Sequence, residues 1–177
     1  TVHTQVFFSA SHLGLSNPIG RMRVKSGYIQ FDADDWSQAK VDALIDTASL
    51  DMGDDAWNTK LRSGEFLDSG KFPTARFAAE RVEKTGERAG VAHGQLTLLG
   101  VTRPLDLKIT FNRALVDPYT FRYTAGFSAE AKLKRSDFGM TKYLHEIGDE
   151  VTVRIEAEGL RGVDANGQAG AAEANGS

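Results

Sequence analysis

The stretch Phe121-Arg122-Tyr123-Thr124-Ala125-Gly126-Phe127-Ser128-Ala129-Glu130-Ala131-Lys132-Leu133-Lys134 sets Phe121, Tyr123, Ala125, Phe127, Ala129, Ala131 and Leu133 against Arg122, Thr124, Ser128, Glu130, Lys132 and Lys134. Successive side chains of a β-strand point to opposite faces, so this period of two describes a strand with one dry and one wet face. Val151-Thr152-Val153-Arg154-Ile155-Glu156-Ala157-Glu158 repeats the pattern. So do Leu105, Leu107, Ile109 and Phe111, which alternate with Asp106, Lys108, Thr110 and Asn112. Leu96 and Leu98 precede that run across Gly100-Val101-Thr102-Arg103-Pro104, and together they predict a hairpin turning there. Further runs at Val2 to Ala10, Arg21 to Phe31, Asp42 to Leu50 and Thr74 to Val82 bring the strands to about eight, with Gly27 marking an expected bulge. Strands with one dry face either stack as two sheets or close on themselves, and closure alone removes the exposed edges. The expected fold is therefore all-β, an eight-stranded antiparallel barrel spanning residues 1–160 as one domain. Such a barrel can be filled by its own side chains or can hold one small ligand, and strand count leaves that open.

One connection is too long for a hairpin. Between the third and fourth strands, Asp54 to Pro73 carries Trp57, Leu61, Phe66 and Phe72 without a β period, and only Asp54 to Leu67 has helical periodicity. It is expected to form a short helical lid over one end of the barrel and to gate access there. The rest of the composition removes whole classes of function. The 21 Lys and Arg are scattered among 24 Asp and Glu for a net charge of -3, which argues against a nucleic-acid partner. There are no cysteines, so disulfides, thiol catalysis and cysteine-ligated metals are excluded. No apolar run reaches the ~20 residues of a membrane-spanning helix. The chain opens inside a strand pattern, at Thr1-Val2-His3-Thr4-Gln5-Val6, without a signal peptide, which fits a processed or trimmed N-terminus. Past Gly159 the small, polar residues 161–177 are expected to be a flexible tail.

Five patches in order carry a family resemblance. Phe8 with Ser11-His12-Leu13-Gly14, Leu61-Arg62-Ser63 with Phe66, Phe72-Pro73 with Phe77, Gly94-Gln95-Leu96-Thr97-Leu98 running into Gly100-Val101-Thr102-Arg103-Pro104, and Arg135-Ser136-Asp137-Phe138-Gly139-Met140 together resemble the YceI-like family of polyisoprenoid-binding proteins over roughly residues 3–160. The resemblance implies a lipocalin-like barrel, usually exported to the bacterial periplasm, whose interior holds a long apolar lipid such as a polyisoprenoid or the tail of an isoprenoid quinone. The chain departs from the pattern at Ala56-Trp57, where the family usually carries an Arg-Asp pair. No cofactor is required by this reading beyond the bound lipid, and a homodimer is left open.

Candidate pocket walls are the inward residues Val6, Phe8, Phe77, Leu96, Leu98, Leu107, Ile109, Ala125, Phe127 and Ala129, for each of which core packing is the alternative. Ala125 and Ala129, flanking Phe127, are small enough to leave room for a ligand. His12 is the polar candidate for a ligand head group or for capping loop backbone, beside Leu13 at the mouth. Trp57, Phe66 and Phe72 belong to the lid, with Phe138 and Met140 at the pocket rim. Arg62 is expected to donate to lid carbonyls or to Asp68, and Arg135 to pair with Asp137. His3, His12, His93 and His145 show no metal-ligand spacing with Glu146 or Asp149, and no G-x-S-x-G elbow occurs. No catalytic or metal site is assigned, so the chain is expected not to be an enzyme. An interaction barrel with a filled core stands as the alternative to a lipid carrier.

Overall fold

The alternating runs become eight strands in a computed structural model, which describes residues 4–33 and 35–160. They are β1 (Gln5–His12), β2 (Ile19–Gln30), β3 (Lys40–Asp51), β4 (Thr74–Lys84), β5 (Ala89–Leu98), β6 (Val101–Val116), β7 (Tyr123–Lys134) and β8 (Ile147–Leu160). Each strand is hydrogen-bonded to its sequence neighbours, and β8 returns to pair with β1, closing the barrel. One helix, α1 (Asp55–Arg62), lies between β3 and β4, and single 3-10 turns occur at Trp36–Gln38 and Arg135–Phe138. The expected flexible tail at 161–177 lies outside the described residues, as do residues 1–3 of the opening strand.

Two local expectations are corrected. The hairpin expected to turn through Gly100–Pro104 turns at Leu99-Gly100 alone, because Leu98 already pairs with Val101 and Gln95 with Pro104. Both loop residues have positive φ, 53° and 74°, the conformation of a tight two-residue hairpin loop. The bulge expected at Gly27 sits just before it, where the β2–β3 register shifts between Val24 and Ser26. Gly27 is needed for a different reason: a Cβ there would stand 2.4 Å from the Asp42 carbonyl oxygen of β3.

The two ends of the barrel differ. At one end the β2–β3 connection folds Phe31 and Trp36 inward, where Phe31 meets Trp36, Phe111 and Phe127 at ring-centroid distances of 5.1, 5.0 and 4.9 Å. Phe111 and Phe127 touch each other at 5.6 Å, so four aromatic rings seal this pole with the edge-to-face and tilted contacts that aromatic pairs prefer. Trp36 can approach β5 only because residue 90 is glycine; a Cβ there would lie 2.5 Å from its ring. The Trp36 indole N–H donates to the Ala33 carbonyl at 3.2 Å, which satisfies its polar edge within the loop. Ala129 is buried beside this plug, in register with Ile109 and Ile155. The small residues Ala125 and Ala129 thus flank a ring of the plug, Phe127 of β7 itself.

Truncating the plug has a large expected cost. Phe127→Ala should destabilise the domain by about 3–5 kcal/mol, read as a lower denaturant midpoint at unchanged slope. Ala129→Phe should also destabilise it, by about 1–3 kcal/mol, because that position is packed.

Candidate ligand-binding site

Toward the α1 pole the interior is not filled. A cavity of about 440 Å³ opens there, walled by the inner faces of all eight strands. Strand register explains which residues face one another across its wall: Val6 stands beside Ile155, Phe8 beside Val153, Phe77 beside Leu96, and Leu133 beside Val151. Two strand glycines give the large rings room. A Cβ on Gly20 would sit 2.3 Å from both the Phe8 ring and the Met52 sulfur, and one on Gly94 would sit 2.4 Å from the Phe77 ring. Backbone therefore yields volume to side chains at two points on the wall.

The segment from α1 to β4 covers one side of the mouth and is tied to β3. Asp54 caps α1 by accepting from the Trp57 N–H at 2.9 Å, and the buried Asn58 side chain accepts from the Met52 N–H at 2.7 Å. The Arg62 guanidinium donates to the Leu50 carbonyl of β3 instead of to the lid carbonyls or Asp68 expected of it, because it reaches back across the segment to the strand before it. Thr47, 1% exposed, donates its hydroxyl to the Phe72 carbonyl at 2.7 Å and its N–H to the Pro73 carbonyl at 3.1 Å. Leu61, Phe66 and Leu67 are thereby held against the cavity, and the later half of the segment is built as a wall.

Across the mouth the organising side chain is Arg135, 3% exposed. It donates to the carbonyls of Met140 at 2.7 Å, Ile147 at 2.8 Å and Gly148 at 3.1 Å, pinning the β7–β8 connection from inside. Its expected pairing with Asp137 is replaced by these carbonyls, because the guanidinium points inward. The nearby acid is Asp149, which accepts from the Ser136 N–H at 2.9 Å and the Ser136 hydroxyl at 2.8 Å. Burial pushes Arg135 below the ordinary arginine value, opposed by Asp149. The Ser136 N–H holds the Asp149 carboxyl below its usual range against partial desolvation, helped by the Ser136 hydroxyl and by Arg135.

Polar groups collect only at the rim. His12 lies 5.4 Å from the Trp57 ring. Tyr143 stacks on Phe66 at 6.0 Å, and the Lys60 ammonium bonds Glu65 at 2.6 Å and the Tyr143 hydroxyl at 3.2 Å. The Glu65 bond, with that of Tyr143, raises Lys60 above the ordinary lysine value, and Lys60 lowers Glu65 in turn.

Of the residues expected at the site, Val6, Phe8, His12, Trp57, Phe66, Phe77, Leu96, Leu98, Leu107 and Met140 line the cavity. The others lie outside its lining. Leu13 projects into solvent from the β1–β2 loop. Phe72 lies over the Leu99-Gly100 turn, 3.1 Å from where a Cβ on Gly100 would stand. Phe127 belongs to the plug, Ile109 and Ala129 are in register beside it, and Ala125 is past Phe127 on β7. Phe138 is buried under the 3-10 turn after β7 and faces an outer groove with Arg103 and Pro104. Lining residues that the sequence reading missed include Met22, Leu50, Met52, Ala75, Lys60, Tyr143 and Val153. His93 is on the outer wall, within 2.8 Å of Asp106 and 3.3 Å of Glu83. Among the described residues, no group of three or more His, Asp or Glu is placed to hold a metal ion, and no helix is long and apolar enough to cross a membrane.

The family model described as YceI-like domain matches residues 1–159. A UPF0312 protein of Pseudomonas paraeruginosa is 38% identical over 159 residues, covering 90% of this chain and 82% of that protein. In structure the chain is similar to Burkholderia cenocepacia BcnA, with a TM-score of 0.78 at 21% identity, covering 88% and 95% of the two chains. It also resembles a Saccharophagus degradans domain described as polyisoprenoid binding, with a TM-score of 0.63 at 16% identity over 88% of this chain and 92% of that one.

The Asp149 geometry gives a pH test. A carboxyl held below its unfolded value stabilises the fold above that value and loses the contribution as pH falls through its folded value. Wild type should exceed Asp149→Asn in stability at neutral pH. The gap should shrink once pH drops below about 4, as measured by urea unfolding across pH.

Proposed function

Because the chain belongs to the YceI-like domain family, we propose that its barrel binds the apolar chain of a lipid of polyisoprenoid or isoprenoid-quinone type, and that the protein stores or transports it. The observation that carries this reading is the apolar cavity of about 440 Å³ at the α1 pole, within the ~300–1,000 Å³ of small-ligand sites. A barrel serving only as an interaction module would have had that volume filled. The polyisoprenoid-binding description of the Saccharophagus degradans domain supports the same ligand class.

Magnitudes agree with carriage. At ~30 Å³ per water-sized group, 440 Å³ is room for roughly 15 chain carbons, and at ~0.8 kcal/mol per buried methylene these supply about 12 kcal/mol before immobilisation costs. A long polyisoprenoid is therefore held by one end of its chain. The aromatic plug sets the depth, and the remainder meets the rim of His12, Lys60, Tyr143 and Glu146. The backbone of α1 is tied to β3 through the Asn58 and Arg62 side chains, so the part of the lid that moves with loading is the half-exposed Trp57 side chain beside His12. The reading carries with it a periplasmic or otherwise exported setting and no catalytic step.

Organic extraction of protein isolated from its native source, followed by mass spectrometry, should recover an apolar isoprenoid. Recovery of only buffer and detergent species would overturn the reading. Ala75→Phe, which adds a ring to the cavity wall, should cut the recovered lipid about tenfold while leaving the ligand-free melting temperature nearly unchanged.

A further inference from the structure

We propose that the apolar collar around the cavity mouth is a docking surface for a zwitterionic phospholipid bilayer, through which the cavity loads and unloads; the proposal rests on the lipid-binding reading above. Three elements supply the collar. The β1–β2 hairpin contributes Leu13, Leu15 and Ile19, of which Leu15 is 82% and Ile19 66% exposed; α1 contributes Trp57, and the β7–β8 connection contributes Tyr143 and Leu144. The two loops form one platform, since the Leu13 N–H donates to the Glu146 carbonyl at 2.6 Å. The same elements send His12, Pro18, Trp57 and Tyr143 into the cavity lining, so collar and cavity wall are one continuous apolar surface.

Exposed apolar side chains gathered in this way mark an interaction site. The chemistry of the cargo selects the partner: a chain insoluble in water needs its opening to face a medium of its own polarity. Trp57 and Tyr143 are the residue types that settle where hydrocarbon meets head groups. Charge narrows the choice further. Lys60 is paired with Glu65 at 2.6 Å, Lys142 also acts on the Glu65 carboxylate, and Glu146 adds a second acid at the mouth, so among the described residues the rim has no cluster of uncompensated cations of the kind that recognises acidic lipid. Attraction is then by apolar insertion at a neutral interface. The opposite pole also exposes Tyr119 and Phe121, but behind them the aromatic plug blocks any path to the cavity.

The test uses phosphatidylcholine vesicles, with cis-parinaric acid as a soluble probe of the cavity. Wild type should co-sediment with the vesicles, and brominated phosphatidylcholine should quench Trp57 but not the buried Trp36, so that Trp57→Phe abolishes the quenching. Leu15→Ser combined with Leu144→Ser should weaken vesicle binding about tenfold and leave probe binding intact, because neither side chain lines the cavity. Tyr119→Ser combined with Phe121→Ser should change neither. Docking is overturned if wild type binds the probe but not vesicles, if the collar variant binds vesicles as wild type does, or if the far-pole variant loses them. Failure of wild type to take up the probe would instead remove the lipid-binding reading and the docking proposal with it.

Discussion

Closure of β8 onto β1 is the constraint from which the rest follows. A closed eight-stranded sheet has no free edge, and its strand number fixes an interior that no further secondary element enters. Whether that interior is solid or hollow is decided by side-chain volume alone. Here the volume is distributed unequally. Four aromatic rings, two of them delivered by the β2–β3 connection, pack against one another and consume the space at one pole, while the side chains of the other pole stand around an open cavity. Because the wall is continuous backbone hydrogen bonding, the cavity can communicate with its surroundings only at the pole that the aromatic plug does not seal.

That open pole has to be held in shape without a filled core. Burial alone cannot do so, since the residues there face empty volume on one side and forfeit the contacts a packed interior would give them. Hydrogen bonds to backbone carbonyls take over. Arg135 fixes three carbonyls of the β7–β8 connection, Arg62 reaches Leu50, and Thr47 holds Phe72 and Pro73. Each of these groups would be costly to bury unpartnered, and each bonds a carbonyl along the rim, the Arg62 Nε–H alone among their donors being buried without a partner. Stability at the mouth and dryness of the interior are two results of one arrangement.

Much of the fold was legible because period two survives over most of each strand between its bulges, and a one-residue slip in register would turn a whole dry face outward. The sealed pole was not legible. Phe31 and Trp36 lie in a loop with no β period, and nothing local announces that they fold inward. Ala125 and Ala129 accordingly read as room for a ligand, whereas they flank Phe127 of the plug and neither lines the cavity. Height along the barrel depends on strand stagger, which a single strand does not display, so Ile109 and Leu107 look equivalent in sequence although only Leu107 lines the cavity. The glycines at 20 and 94 were the signal available: glycine inside a strand marks a close approach, and here the approaching groups are Phe8 with Met52, and Phe77.

On the proposed carrier reading, the single open pole would also fix the order of events for a ligand with two unlike ends. The apolar end must enter first, because the wall offers it contact at every depth and offers a polar group no partner beyond the rim. The polar end then stops among His12, Lys60, Tyr143 and Glu146, where donors and acceptors stand in reach of water. Retrieval would reverse the path, so whatever receives the ligand would meet its head before its tail. On the proposed carrier reading the aromatic plug and the polar rim would act together: one would limit how much chain is taken, and the other would keep at the surface the end that a recipient can recognise.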